Sequence, residues 1–388
     1  MSQPSPTWPT FSLLFFASAP AEFERDKFDL FRQSTRFADE RGFEAVWIPE
    51  RHFHAFGGMF PNPALSGVVL AETTRRIRIR AGSVVMPLHH PVRVAEEWAM
   101  VDNLSHGRVD ISFAVGWNPN DFLFAPQAYA ERAAITFEGI EAVRRMWAGE
   151  PYAGVNGKGE RVSVRVHPLP VQKVLNVWLT CSGGRERFVE TGDKGFNVLT
   201  ALLFQSVEDL AEKIAAYRAA RAKAGHAGPG RVTLTLHTFV GRDEKSVKET
   251  VREPFKHYLE SSADLWQVVS ESPLKDMPPR KMADMLEYAF ERYYQRTALM
   301  GARESTAKMV EACARAGADE IACLIDFGLP AKVIMEGMEW LDELRKGWEV
   351  LSSSTRVVPS FGSNTLTLAG SAARNPQKFA TPLYLNAA

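Results

Sequence analysis

The chain has 388 residues, with 46 basic and 46 acidic side chains and a formal net charge of zero, so no overall field gathers nucleic acid or an anionic membrane surface. Its cysteines, Cys181, Cys313 and Cys323, have neither CxxC spacing nor a neighbouring histidine pattern, which sets aside a disulfide framework and a zinc site. Residues 1–10 lack a basic leader, and every apolar run is strand-length, far short of ~18 residues; a soluble protein of the cytoplasm is expected.

Apolar, β-branched or aromatic runs at residues 11–16, 45–48, 77–81, 109–115, 177–180, 196–200, 232–240 and 320–325 predict eight strands. Between them, helical periodicity predicts helices over 25–41, 63–73, 92–104, 129–147, 185–191, 206–224, 244–261 and 279–314. Gly42, Gly149, Gly192, Gly225 and Gly317 follow periodic segments as helix stops. The alternation predicts an α/β fold, a (β/α)8 TIM barrel, with a doubly wound open sheet as the alternative. Asn156-Gly157, between Tyr152 and the alternating run 161–167, predicts a β-hairpin inserted after the fourth helix. The long helical region 250–302, broken over 270–279, predicts a lid insertion between strands seven and eight, of which about 259–279 is expected to be mobile without ligand and to close over the barrel mouth. The expected division is an extension over 1–10, a barrel domain over 11–348 and a tail over 349–388.

Catalytic groups of such barrels sit at the C-terminal ends of the strands, and the unusual residues of this chain fall there. Strand two is followed by Glu50-Arg51-His52-Phe53-His54, strand three by the segment from Ser83 to His90, and strand four by Gly116-Trp117-Asn118-Pro119-Asn120-Asp121-Phe122. Cys181-Ser182-Gly183-Gly184 after strand five opens a helix, and backbone N–H groups at a helix start suit a phosphate. An ordinary cap is the competing reading. There is no Gly-x-Gly-x-x-Gly after strand one and no Gly-x-Ser-x-Gly elbow. His52 and His54, or His89 and His90, have no carboxylate at ligand spacing, so no metal is expected.

The runs Trp47-Ile48-Pro49-Glu50-Arg51-His52-Phe53, Gly82 to Arg108 and Gly116-Trp117 resemble the bacterial luciferase-like flavin-dependent monooxygenases over about residues 11–344. The segments from Glu50 to Gly58, Gly116 to Phe122 and Glu320 to Gly328 look closest to the branch serving polyketide and nonribosomal peptide biosynthesis. The resemblance implies a dimeric TIM barrel that receives reduced FMN (FMNH2) from a separate flavin reductase and uses O2. It implies a cis bond at Gly82-Ser83 behind the flavin, a phosphate seat from Ser182, Gly183 and Arg132, and further cofactor contacts from Ala17, Ser18, Asn103 and Cys181. Arg51 stands where luciferase has its catalytic histidine, and Val115 where it has a phosphate-binding arginine. The acid/base role therefore passes to His52, oriented by Glu50 and flanked by Arg51. Phe53, His54, Phe56 and Trp117 are expected to wall the pocket, with Trp266 at its entrance. The implied activity is hydroxylation or Baeyer–Villiger insertion on an acyl or aminoacyl intermediate, tethered to a carrier protein. An F420-dependent hydride-transfer enzyme and a non-catalytic flavin-binding subunit are the alternatives.

Overall fold

The computed structural model describes residues 8–16, 28–202, 205–266 and 279–354. Its strands are β1 (Thr10–Leu14), β2 (Ala45–Ile48), β3 (Arg78–Val85), β4 (Val109–Ala114), β5 (Tyr152–Val155), β6 (Arg161–Val164), β7 (Val177–Thr180), β8 (Asn197–Ala201), β9 (Val232–Gly241), β10 (Leu299–Ala302) and β11 (Glu320–Leu324). Its helices are α1 (Asp29–Arg41), α2 (Pro63–Thr73), α3 (Pro91–Ser105), α4 (Arg132–Trp147), α5 (Arg185–Asp193), α6 (Val207–Lys223), α7 (Glu244–Trp266), α8 (Pro279–Arg296), α9 (Arg303–Ala316) and α10 (Ala331–Ser354).

Eight parallel strands pair in the order β11-β1-β2-β3-β4-β7-β8-β9, and β9 pairs back onto β11, so the sheet closes into a barrel. The strands read as unbroken apolar runs because side chains of both faces are covered, by helices outside and by one another inside. Local signals end the elements where expected. Gly42 and Gly317 take left-handed conformations after α1 and α9, Asn62 caps α2 ahead of Pro63, and Ser206 with Asp209 forms a capping box on α6. β5 and β6 pair antiparallel as a separate two-stranded hairpin between α4 and β7.

Two expectations about the elements are corrected. The single helix over 279–314 is two, α8 and α9, separated by β10. The cause is β9, which runs ten residues and offers an edge beyond the barrel wall, where Leu299 to Ala302 pair with Thr238 to Gly241. Glu244 fastens the junction, accepting from the Ala302 N–H at 3.0 Å and the Ser305 hydroxyl at 2.7 Å. Gly192 lies inside α5 rather than after it, in close contact with Tyr217 of α6 that a side chain would obstruct, and Gly195 with φ +74° makes the turn. α10 continues to Ser354, past 348. The break expected over 270–279 lies almost wholly outside the described residues.

Toward the N-terminal end the barrel interior holds a charged layer. Arg80 donates to both Glu320 oxygens at 2.8 and 2.7 Å and to Asp110 at 2.8 Å, with its guanidinium over the Trp47 and Trp178 rings. Ser12, Trp47 and Arg231 complete the bonding around Glu320. Burial alone would raise the Glu320 carboxyl; Arg80 and Arg231 hold it below its ordinary value. This closed layer leaves the opposite end of the barrel open.

Candidate active site

A cavity of about 280 Å³ opens at the C-terminal ends of the strands, where sites of such barrels are built. Its floor is the end of β3. The Gly82-Ser83 bond is cis, and a side chain at Gly82 would press on the Trp47 indole below, with contacts near 3.1 Å. Ser83 joins a hydroxyl cluster, bonding to Ser112 at 2.9 Å and Thr180 at 2.5 Å.

Glu50 is the hub of one wall. One carboxylate oxygen lies 2.8 Å from His52 Nε2 and 2.6 Å from His89 Nε2, while the other accepts from the Val85 N–H at 2.8 Å. Burial would push this carboxyl up, but the two imidazoles and the amide outweigh it and hold it below its ordinary value. For His89, burial would favour the neutral ring, yet the Glu50 carboxylate raises its affinity for a proton. The proton of this pair therefore rests on the partly exposed His89, with the Glu50 carboxylate between it and the cavity.

Arg51 turns into the cavity from the same loop. It is only 6% exposed, and its guanidinium carbon lies over the rings of Phe16 and Trp117 at 5.0 and 5.3 Å. Gly57, at φ +82°, passes so close that a side chain there would meet Arg51 and the Phe16 carbonyl at 2.9 Å. Across the cavity His237 of β9 packs against Phe255, Tyr258, Tyr293 and Phe327. Burial depresses its pKa to about 3, so the ring is neutral.

The structure brings Glu50, Arg51, Phe56, Gly82, Ser83, Trp117, Cys181 and Ser182 to the cavity. Among the described residues it does not bring the others to the lining. His52 lies behind Glu50, edge-on to Phe124 with ring centroids 4.8 Å apart. Phe53, in a left-handed conformation unusual for a bulky residue, is 59% exposed and lies tilted against Phe124, with ring centroids 5.2 Å apart. His54 is turned to accept the Phe56 N–H at 3.1 Å. Asn103 is near the end of α3, which returns to the N-terminal face of the barrel, and its amide binds the Ala99 and Leu169 carbonyls. Arg132 donates to the Gly116 and Tyr129 carbonyls and braces the turn before Trp117 instead of lining the wall. Gly183 borders the lining residue Ser182, and its carbonyl accepts from Lys213 at 3.3 Å. Ala17, Ser18 and the Trp266 side chain lie outside the described residues.

His237 and Tyr258 also line the cavity, and His89 and Lys213 stand behind it on Glu50 and on the Gly183 carbonyl; the sequence singles out none of the four as a site residue. His89 carries a signal, since it follows strand three beside His90, but in sequence that pair suggests only a metal ligand. His237 is a lone polar residue in an apolar strand, and Tyr258 and Lys213 are hidden in ordinary helical periodicity. Among the described residues no group of His, Cys, Asp and Glu side chains could hold a metal ion, and no helix is long and apolar enough to cross a membrane.

Fold and cavity thus define a (β/α)8 barrel with a cofactor-sized site at its C-terminal face. Residues 10–320 match the family described as luciferase-like monooxygenase, and the chain belongs to that family. It is 26% identical over 233 residues to the flavin-dependent trigonelline monooxygenase, oxygenase component, of Acinetobacter baylyi, covering 59% of this chain and 64% of that protein. It is 34% identical over 133 residues to 4-hydroxyprotoasukamycin monooxygenase of Streptomyces nodosus subsp. asukaensis, covering 34% of this chain and 36% of that one. The matches thus span under two thirds of either relative's length. Among solved structures, the oxygenating constituent of 3,6-diketocamphane monooxygenase of Pseudomonas putida, a type II Baeyer–Villiger enzyme in complex with FMN, superposes with a TM-score of 0.69 at 18% identity, covering 87% of this chain and 96% of that one.

Proposed function

We propose that the chain is the oxygenase component of a two-component monooxygenase, using reduced FMN from a separate reductase and O2 to hydroxylate a small-molecule substrate or insert oxygen into it. The observation that carries the reading is the cavity itself, which runs from Ser182, two residues ahead of the α5 N-cap Gly184, to Glu50, whose carboxylate meets His89 behind it. Gly184 precedes α5 without a side-chain cap, so the first N–H groups of that helix, with Lys213 behind Gly183, suit the dianionic end of FMN. The mostly apolar walls and the hydroxyl floor suit a flat ring. Bound reduced flavin would supply the electrons and the activation of O2.

The chain's own residues position, shield and move protons. Phe16, Phe56 and Trp117 exclude water from the reacting space. His89, 30% exposed at its side chain, carries the proton and exchanges it with solvent, and the Glu50 carboxylate holds the charged ring in place. His52 fixes the Glu50 carboxylate from behind and acts as a positioning residue. An apolar shoulder of Phe53, Leu123 and Phe124 at the rim supports an acyl or aminoacyl intermediate of natural-product biosynthesis presented on a carrier protein, a class to which the relative acting on 4-hydroxyprotoasukamycin gives weight. Exposed Leu65 and Val69 on α2 and Met100 on α3 support a homodimer.

The test is anaerobic titration of the protein with FMNH2, FMN and F420, followed by mixing with O2. Preferential binding of FMNH2 and an absorbance transient distinct from both FMNH2 and FMN are expected. Tight binding of F420 with no O2 consumption would overturn the reading.

A further inference from the structure

Arg51 is a guanidinium without an acceptor among the described residues. It is buried in the cavity wall, its Nε has no hydrogen-bond partner, and it forms no ion pair within 4 Å among the described residues. Burial disfavours its charge, and Asp121 and Tyr258 offset this only in part and from a distance. The Phe16 and Trp117 rings supply cation–π attraction but accept none of its five N–H donors in the way an oxygen would. Glu50, its neighbour in sequence, is fully engaged with His52, His89 and Val85. A buried cation so placed is costly unless a ligand completes it. His237 repeats the pattern at the adjoining wall, its buried Nε2 unpartnered and its ring 4.7 Å from that of Tyr258.

We propose that Arg51 is the anion-recognition residue of the substrate pocket, taking a carboxylate on the substrate through its unfilled N–H edges beside Phe16 and Trp117. The inference rests on reading the cavity as the place where flavin and substrate meet. A carboxylate fits because its two oxygens match the fork of the guanidinium, giving two parallel charge-assisted bonds. The FMN phosphate is the weaker occupant. The α5 start follows β7, three strands around the barrel from β2, and has donors of its own. The substrate is then a carboxylic acid, and one held on a carrier through a thioester must bear a second, free carboxylate.

The probe is benzoate against benzamide, equal in shape and differing in charge, titrated calorimetrically into the full chain with and without FMNH2 under anaerobic conditions, with acetate and phenylacetate as further acids. Wild type is expected to prefer benzoate by about tenfold or more, corresponding to about 1.4 kcal/mol. Arg51→Met should bring the ratio near one and Arg51→Lys should keep part of it, both with FMNH2 affinity within about threefold of wild type. No preference for any of the three acids over its amide in wild type would overturn the proposal, as would a preference that survives in Arg51→Met. An unchanged ratio with a tenfold loss of FMNH2 affinity would overturn it too, assigning Arg51 to the cofactor. Should Arg51→Met not fold, Arg51→Gln, which keeps the length of the side chain, carries the comparison. Failure of wild type to bind FMNH2 while the benzoate preference holds would refute the flavin reading and leave this one standing.

Discussion

Replacing Glu50 by Gln isolates the electrostatic part of the proton pair, because the amide keeps an oxygen for the Val85 N–H while removing the charge that His52 and His89 share. Hydrogen bonds to a charged group contribute about 1.5–3 kcal/mol each. Stripping one partner from a buried pair costs about 3–5 kcal/mol. His89 retains 30% side-chain exposure, so water relieves part of the loss, and a destabilisation of about 2–3 kcal/mol is expected near pH 5.5. The two groups give this loss a definite pH dependence. The folded His89 pKa is raised above 6.5, so its contribution is complete below 6.5 and disappears as pH rises through the higher folded value. The folded Glu50 pKa is depressed below 4.5, so its contribution is present above 4.5 and disappears as pH falls through the lower value. The gap between wild type and Glu50→Gln should therefore be widest between 4.5 and 6.5 and narrow toward about pH 8.5 as His89 loses its proton. Urea denaturation followed by tryptophan fluorescence, with histidine NMR titration alongside, measures both quantities. An equal gap at the two pH values, or a His89 that titrates at or below its ordinary value, would refute the coupling argued from these distances.

Removing His89 with Ala should leave flavin binding intact and reduce the coupling of O2 consumption to product by about 100-fold, whereas His52→Ala, acting from behind the carboxylate, should cost less; equal losses in product assays would return His52 to the cavity. Lys213→Ala should weaken FMNH2 by about 1–3 kcal/mol while leaving reduced riboflavin unchanged, since only the phosphate reaches the α5 start, and equilibrium titration with both ligands decides. Glu320→Gln should lower unfolding free energy by about 3–5 kcal/mol by leaving Arg80 and Arg231 short of a partner in a dry layer. Because that carboxyl is held below 4.5, the deficit should shrink as pH falls through its folded value, which thermal melts at several pH values would show.

Much of the frame was legible because parallel strands and their covering helices write two different periods into the chain. The eight barrel strands came from unbroken apolar runs, and the glycines after α1 and α9 marked real left-handed turns. β10 was not legible. Four residues of Leu299-Met300-Gly301-Ala302 look like the continuation of a helix until β9 extends past the barrel and presents an edge, a tertiary fact with no local signature. Glu50 and Arg51 were found because charge crowded at a strand end is conspicuous. His52 and Asn103 were misplaced for different reasons. His52 meets the Glu50 carboxylate from its far side, so Glu50 stands between it and the cavity, and Asn103 followed a family motif whose helix carries it to the far end of the barrel.

What sequence could not separate is the purpose of two arginines that look alike in one dimension. Arg80 and Arg51 are both buried, and both lie over aromatic rings. Arg80 is met by Glu320 and Asp110 at bonding distance, and it closes the N-terminal end of the barrel as structure. Arg51 is met by nothing at bonding distance among the described residues, and it lies at the end where chemistry is expected. The same side chain is thus stabilising where the fold supplies its acceptors. Where the fold withholds them, the guanidinium keeps donors to offer, and the free energy of pairing them becomes available for selecting a ligand.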